Sequence, residues 1–295
     1  MKRTVKAALM HGFLASRFPA VRNAVDRRRQ RSRLTVLTYH QVKEPADDCS
    51  TVSPAAFSEQ MRHLKMHYDV VSLSEGVAAV TARGPARRLV AITFDDGYRD
   101  NATVAAPILR SLGLPACFFV STDMIGSALP FPHDVAQRRP PQEHMSWDDV
   151  RELAANGFEI GSHTCSHADM GAVTLAEGRD ELRGSRERIE HELGRPVSLF
   201  AFPYGHRTNV RPDTHAAAAR EYDVCCLAEG GHNVAPVDVR AIRRIVVSTG
   251  VTFLAFQAIL EGFPMLRLNN PLVDAGVADG VEQHRGRLAV GQLRR

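Results

Sequence analysis

Two adjacent carboxylates, Asp95 and Asp96, close the run Thr93-Phe94-Asp95-Asp96-Gly97, directly after the apolar segment Leu89-Val90-Ala91-Ile92. A carboxylate at the end of a buried strand is costly, and two side by side repel each other. Side chains alternate along a strand, so the two aspartates should point in different directions. Such a pair suits a division of labour in which one carboxylate binds a cation and the other handles a proton. A second set of candidates, Ser162-His163-Thr164-Cys165-Ser166-His167, follows the segment Phe158-Glu159-Ile160-Gly161. Histidines four residues apart share a face wherever the loop turns helically, so both rings can reach one ion. Asp96, His163 and His167 would then form a site of two imidazoles and one carboxylate. Three protein ligands leave a coordination position open for water or substrate, the catalytic rather than the structural pattern. The donor set suits one divalent ion, zinc first, then cobalt, nickel, manganese or iron(II). Cys165, between the histidines, reads as a small packing residue in preference to a fourth ligand, since open zinc sites of this type rarely need a thiolate.

A third segment, Ala201-Phe202-Pro203-Tyr204-Gly205, follows another apolar stretch. Pro203 fixes its own φ and Gly205 permits a sharp bend. A turn of this kind at a strand end can aim backbone N–H groups at a reacting oxygen.

The order T-F-D-D-G, H-T-x-x-H, F-P-Y-G resembles the polysaccharide deacetylase family, the NodB-homology carbohydrate esterases, and the resemblance spans residues 34–250. The ordered set is far more specific than any one motif. The resemblance implies that Asp95 is the catalytic base, that Asp96, His163 and His167 hold the metal, and that the backbone N–H of Tyr204, beside Pro203, helps to hold the oxyanion. Two family features are missing. Ala201 stands where the family commonly has an arginine, and the late Leu-x-His motif that supplies the acid histidine is replaced by Ala241-Ile242-Arg243-Arg244-Ile245-Val246. The poly-N-acetylglucosamine deacetylase branch shares both departures and carries a Tyr-His pair on its first strand. Tyr39-His40 fits that pair, which makes His40 the candidate general acid. Arg243 and Arg244 read either as partners for Asp95 in place of the absent arginine or as ordinary strand-edge charges.

Strand-like apolar runs at 34–38, 70–73, 89–94, 116–120, 158–160, 198–202, 224–227 and 242–247 alternate with helical segments at 54–67, 75–81, 102–112, 147–156, 175–193, 215–221 and 253–260. Alternation of this kind predicts parallel strands joined by crossover helices. All three motifs fall at or just past strand C-termini, where barrel-type α/β folds place their sites. The resemblance implies an α/β fold, a distorted (β/α) barrel of about seven parallel strands. Residues 124–145 form a Pro-rich insertion ahead of Trp147, the single tryptophan. Trp147 reads either as a wall of a sugar site or as a packing residue at its helix start.

The net charge of +4 is unevenly spread: residues 1–33 hold ten Lys/Arg and one acid, Asp26, which leaves the remainder at −5. The basic balance therefore gives no reason to expect a nucleic-acid partner. Five cysteines, an odd number, do not suggest a disulfide framework. The expected organisation is a basic leader (1–33), a catalytic domain (34–262) and a poorly ordered tail (263–295). The leader's apolar run is short, is broken by His11 and Gly12, and has no A-x-A cleavage pattern. A helix lying on an anionic membrane surface and a solvated, inert leader are both preferred to a signal peptide. The expected location is cytoplasmic or peripheral to the inner membrane, and oligomeric state is left open. The expected function is metal-dependent removal of N-acetyl groups from amino sugars, N-acetylglucosamine in a glycan or a lipid-linked sugar. The alternatives are the same chemistry on another amide, such as a formamide, and a glycan-binding module without turnover.

Overall fold

The computed structural model describes residues 2–46, 50–82, 84–136 and 138–263. The expected tail lies outside the described residues from position 264 onward. Seven strands form the frame: β1 (Arg33–Tyr39), β2 (Arg88–Phe94), β3 (Cys117–Val120), β4 (Glu159–Ser162), β5 (Leu199–Ala201), β6 (Val224–Leu227) and β7 (Ile242–Val246). Each pairs in parallel with the next, and β7 returns to β1, so the sheet closes into a barrel. β1 is the seam. It matches β2 residue for residue from Arg33↔Arg88 to Tyr39↔Phe94, and it meets β7 at Val36↔Arg244. Asp69–Val70 adds a short parallel strand beside β2, and Asn233–Val234 an antiparallel one beside β1.

Parallel strands covered on both faces read as continuous apolar runs, and every residue of β1 is buried. The two-residue period then sorts each strand between two cores. Leu34, Val36, Leu89, Ala91, Phe119, Ala201, Cys226 and Ile242 share the inner one, joined by Leu73, Val77 and Val80 of the helix Leu73–Thr81. The alternate positions, among them Leu37, Ile92, Phe118, Phe200 and Ile245, pack with Phe57, Met61, Leu109, Leu153 and Ile189 of the surrounding helices.

Helix boundaries follow their caps. Ser53 accepts from Ala56 N at the start of Pro54–His67, and Ser146 and Thr174 build reciprocal capping boxes for Trp147–Ala155 and Leu175–Leu193. Gly113 and Gly194 end their helices in the left-handed conformation that glycine adopts freely. Two segments differ from expectation. The strand expected at 70–73 is only Asp69–Val70, because Ser72 accepts from Glu75 N and starts a helix at Leu73. The helix expected at 102–112 opens as a π-helical turn, Asn101–Ala105. In that turn the buried Asn101 amide donates to the His40 carbonyl at 2.7 Å, so the turn ties the helix to the end of β1.

The leader forms two helices, Lys2–Ala15 and Phe18–Arg28. Met10 is buried with Ala255 and Ala258 of the helix Phe253–Leu260, and Asp26 pairs with Arg33 at the head of β1. Among the described residues, no helix is long and apolar enough to cross a membrane.

Candidate active site

Inward parity gathers polar groups at the C-terminal end of the barrel. The inward set of β2, Leu89, Ala91 and Thr93, continues to Asp95, and that of β1 continues to His40. From β4 it reaches His163, and on β7 it falls on Arg244. Arg244 is fully buried and grips Asp95 with both ends of its fork, Nη1 to Oδ1 at 2.6 Å and Nη2 to Oδ2 at 2.8 Å. Burial alone would push the Asp95 carboxyl up, but Arg244, with help from His163 and His40, holds it below the usual range. The neighbouring Arg243 is exposed and takes no part. His40 is partly buried, and its Nδ1 has no hydrogen-bond partner.

Asp96 leaves the strand with φ 75°, which turns its carboxylate away from that of Asp95. Its Oδ1 lies 3.5 Å from His163 Nε2 and 3.3 Å from His167 Nε2. The three ligand atoms lie within 4.8 Å of one another, and all three residues are buried. Burial pushes the Asp96 carboxyl up, and the two imidazoles bring it well below its ordinary value. Its Oδ1 nevertheless has no partner with hydrogen-bond geometry. A buried carboxylate oxygen left unpaired between two imidazole nitrogens fits a shared cation. His163 donates through Nδ1–H to the Ala201 carbonyl at 2.7 Å, which leaves its Nε2 lone pair for the ion. The loop carrying both histidines is clamped by Glu181 of Leu175–Leu193. Its carboxylate accepts from Cys165 N, Ser166 N and Ser166 Oγ at 2.8, 2.9 and 2.7 Å. Cys165 Sγ points to the Glu181 carbonyl at 3.4 Å, so it packs against the helix and is not a ligand.

The turn after β5 sits beside this cluster. Gly205 N donates to the Pro203 carbonyl at 2.6 Å, and Tyr204 takes φ 60°. A Cβ on Gly205 would fall 2.5 Å from Ala228 N, so the turn requires glycine there. The Tyr204 ring lies 4.9 Å from that of His167, and burial, aided by Asp169, lifts its hydroxyl to about 12. Six described non-glycine residues have φ in the left-handed region, and four of them are Asp96, Thr164, His167 and Tyr204. Such conformations cost about 1–3 kcal/mol each and persist where the surroundings over-determine them.

The Pro-rich insertion folds over the cluster. Phe131 and His133 stack on each other, and their ring centres lie 5.2 and 5.0 Å from that of His167. Tyr98 OH donates to Asp134 Oδ2 at 3.2 Å and is 3.3 Å from His133 Nε2. Burial drives the His133 imidazole down to about 3, so it is neutral.

Residues 82–224 match the family model described as Polysaccharide deacetylase. These residues are thus a polysaccharide deacetylase domain. YxkH of Bacillus subtilis (strain 168) is 26% identical over 232 residues, 78% of this chain and 77% of that protein. The poly-beta-1,6-N-acetyl-D-glucosamine N-deacetylase of Escherichia coli (strain K12) is 26% identical over 211 residues, 59% of this chain but only 31% of that protein. Among solved structures, the Streptococcus pyogenes deacetylase PplD in complex with acetate aligns with TM-score 0.67 at 22% identity, over 77% of this chain and 98% of that one. IcaB from Ammonifex degensii aligns with TM-score 0.63 at 21% identity, over 78% and 97%. These two structures support the fold.

Within this family the chain's departures have a spatial meaning. Asp95, Asp96, His163, His167 and Tyr204 all lie inside the matched span, while His40 and Arg244 lie outside it, at the ends of the first strand and within the last. Arg244 supplies Asp95 with a guanidinium partner, and Ala201 offers its carbonyl to His163. Trp147 is not brought to the cluster. Its ring packs on the outer core and lies under the Arg188 guanidinium at 5.1 Å. The rings beside His167 come from the insertion, the fully buried Phe131 and the part-buried His133, neither of which the sequence singled out. Glu181 was also missed, since nothing in the pattern ties it to a loop sixteen residues earlier.

Proposed function

We propose that this protein hydrolyses the N-acetyl group of an amino sugar, N-acetylglucosamine in a glycan or a lipid-linked sugar, with one divalent ion, zinc by preference. The observation that carries this reading is the pairing of two unlike carboxylates: Asp95 gripped by a buried arginine, and Asp96 set between two imidazole nitrogens. A divalent ion held by Asp96, His163 and His167 would polarise the acyl carbonyl and acidify water beside it. Each Asp95 oxygen accepts one bond from Arg244 and keeps a second lone pair, so the carboxylate can take the proton of an attacking water. Arg244 keeps that carboxylate ionised and fixes its plane. The Tyr204 N–H serves the developing oxyanion from the kinked turn. His40, protonated, passes a proton to the departing nitrogen, so that a free amine and acetate leave. His133 and Tyr204 offer ring faces suited to the apolar side of a sugar, with the buried Phe131 stacked against His133. The named Escherichia coli relative supports a sugar amide over other amides.

The test is acetate release from a panel of N-acetylated glycans and a formamide control, after loading with defined metals. Wild-type protein should release acetate from an N-acetylglucosamine polymer and bind one ion per chain. His163→Ala should lose ion and activity together. An unchanged ion stoichiometry in that variant would remove the triad, and turnover of the formamide alone would remove the sugar.

A further inference from the structure

The leader helices carry a second apolar surface that the barrel leaves uncovered. In Lys2–Ala15, Met10 turns onto Ala255 and Ala258. Val5 and Leu9, one turn apart on another face, are 56% and 61% exposed. In Phe18–Arg28, Phe18, Val21 and Val25 fall on one stripe by helical spacing and are 56%, 57% and 41% exposed. Five of the nine large apolar side chains exposed among the described residues thus lie between positions 5 and 25. Such a concentration on one short segment marks a contact surface.

Charge says what kind. Arg17 and Arg28 border the Phe18 stripe at helical spacing, Arg29 follows, and all three are exposed. Residues 1–33 hold ten Lys/Arg against the single acid Asp26, which is already paired with Arg33. Apolar side chains at the centre of a face, cations at its border and no free acid between them complement an anionic lipid surface. A partner protein's apolar groove would not need that excess of cations. Both helices are already folded, and the first is held on the barrel through Met10. Docking therefore does not have to order a free arm.

We infer that the outer face of these two helices, Val5, Leu9, Phe18, Val21 and Val25 with Arg17 and Arg28, docks the protein on an anionic bilayer. The experiment is co-sedimentation of the full chain with vesicles of phosphatidylglycerol and phosphatidylcholine or of phosphatidylcholine alone. Binding is expected only to the anionic vesicles and should weaken as salt rises. Leu9→Asp with Phe18→Asp should lower partitioning at least tenfold. Arg17→Gln and Arg28→Gln should each lower it roughly five-fold, as expected for one cation near such a surface. The thermal midpoint of each variant should match that of the wild type, since none of these side chains enters the core. Equal binding to neutral vesicles, or wild-type binding retained in the Leu9/Phe18 variant, overturns the inference. So does concentration-dependent self-association that Phe18→Asp abolishes while vesicle binding is absent. That result would assign the face to a second copy of the chain.

Discussion

Replacing Arg244 by Met tests the pairing that tunes Asp95, the proposed base. The side chain is fully buried, donates to both Asp95 oxygens at 2.6 and 2.8 Å, and lies over the Phe119 ring at 5.3 Å. Met restores much of the apolar contact but leaves Asp95, itself only 4% exposed, without its counterion. Removing one partner of a buried pair costs about 3–5 kcal/mol. For a domain of this size that is a fall of roughly 6–20 °C in thermal midpoint. In the wild type Arg244 and its neighbours depress the Asp95 carboxyl despite burial. A depressed carboxyl contributes stability above its unfolded value, and that contribution is lost as pH falls through the folded one. In the variant burial is opposed only by His163 and His40 and the carboxyl rises, so the group destabilises the fold at neutral pH and is relieved on protonation. The gap between wild type and variant should therefore be widest near pH 7 and should narrow as pH falls through the ordinary carboxylate region of about 4. Thermal melts in EDTA across that range measure it directly. Asp95→Asn added to Arg244→Met should lose much less than the two single losses added together. A gap below about 1 kcal/mol at pH 7, or one that does not change with pH, would refute the argument from burial and pairing.

Three further outcomes follow from the same geometry. Asp95→Asn should retain the ion, measured by metal analysis, while acetate release falls by about 10²–10⁴-fold, since an amide cannot take the proton. His40→Ala should suppress amide hydrolysis, spare an activated aryl acetate whose leaving group needs no proton, and keep its ion. Equal losses on both substrates would take His40 out of the acid role. Gly161→Ala would put a Cβ 2.4 Å from Phe119 Cδ1 and 3.0 Å from the Leu199 carbonyl, so chemical denaturation should show a loss of about 1–3 kcal/mol from overpacking.

The alternation of apolar runs and amphipathic segments was enough to read parallel strands with crossover helices, while the barrel came from the motif resemblance. The helix at 175–193 keeps its expected bounds, and in the structure the Thr174 cap and Gly194 frame it. The motif residues were legible because Asp95, Asp96, His163 and His167 are short-range patterns. Arg244 was not separable from Arg243, and the reason is physical. β7 is buried on both faces, so Ile242 faces the inner core and Ile245 the outer one, and apolar alternation cannot say which arginine turns inward. Only the pairing with β1 decides that. Trp147 reads from the sequence as either a rim residue or a packing residue, and its ring packs on the outer core. Its position after a Pro-rich insertion suggested a rim, yet the insertion itself supplies the rings through Phe131 and His133, from a stretch with no period to read.

The grip of Arg244 on Asp95 spans 149 positions of sequence, and the barrel seam is what brings the two together. A chain growing from its N-terminus thus presents Asp96, His163 and His167 long before it presents the counterion of Asp95. The Asp-His-His cluster is complete by position 167, and the counterion of Asp95 comes from the last strand. Assembly of the site is therefore ordered in time by topology. Until β7 docks against β1, Asp95 has no guanidinium partner inside the barrel, and the proposed base takes its final setting only with closure of the ring.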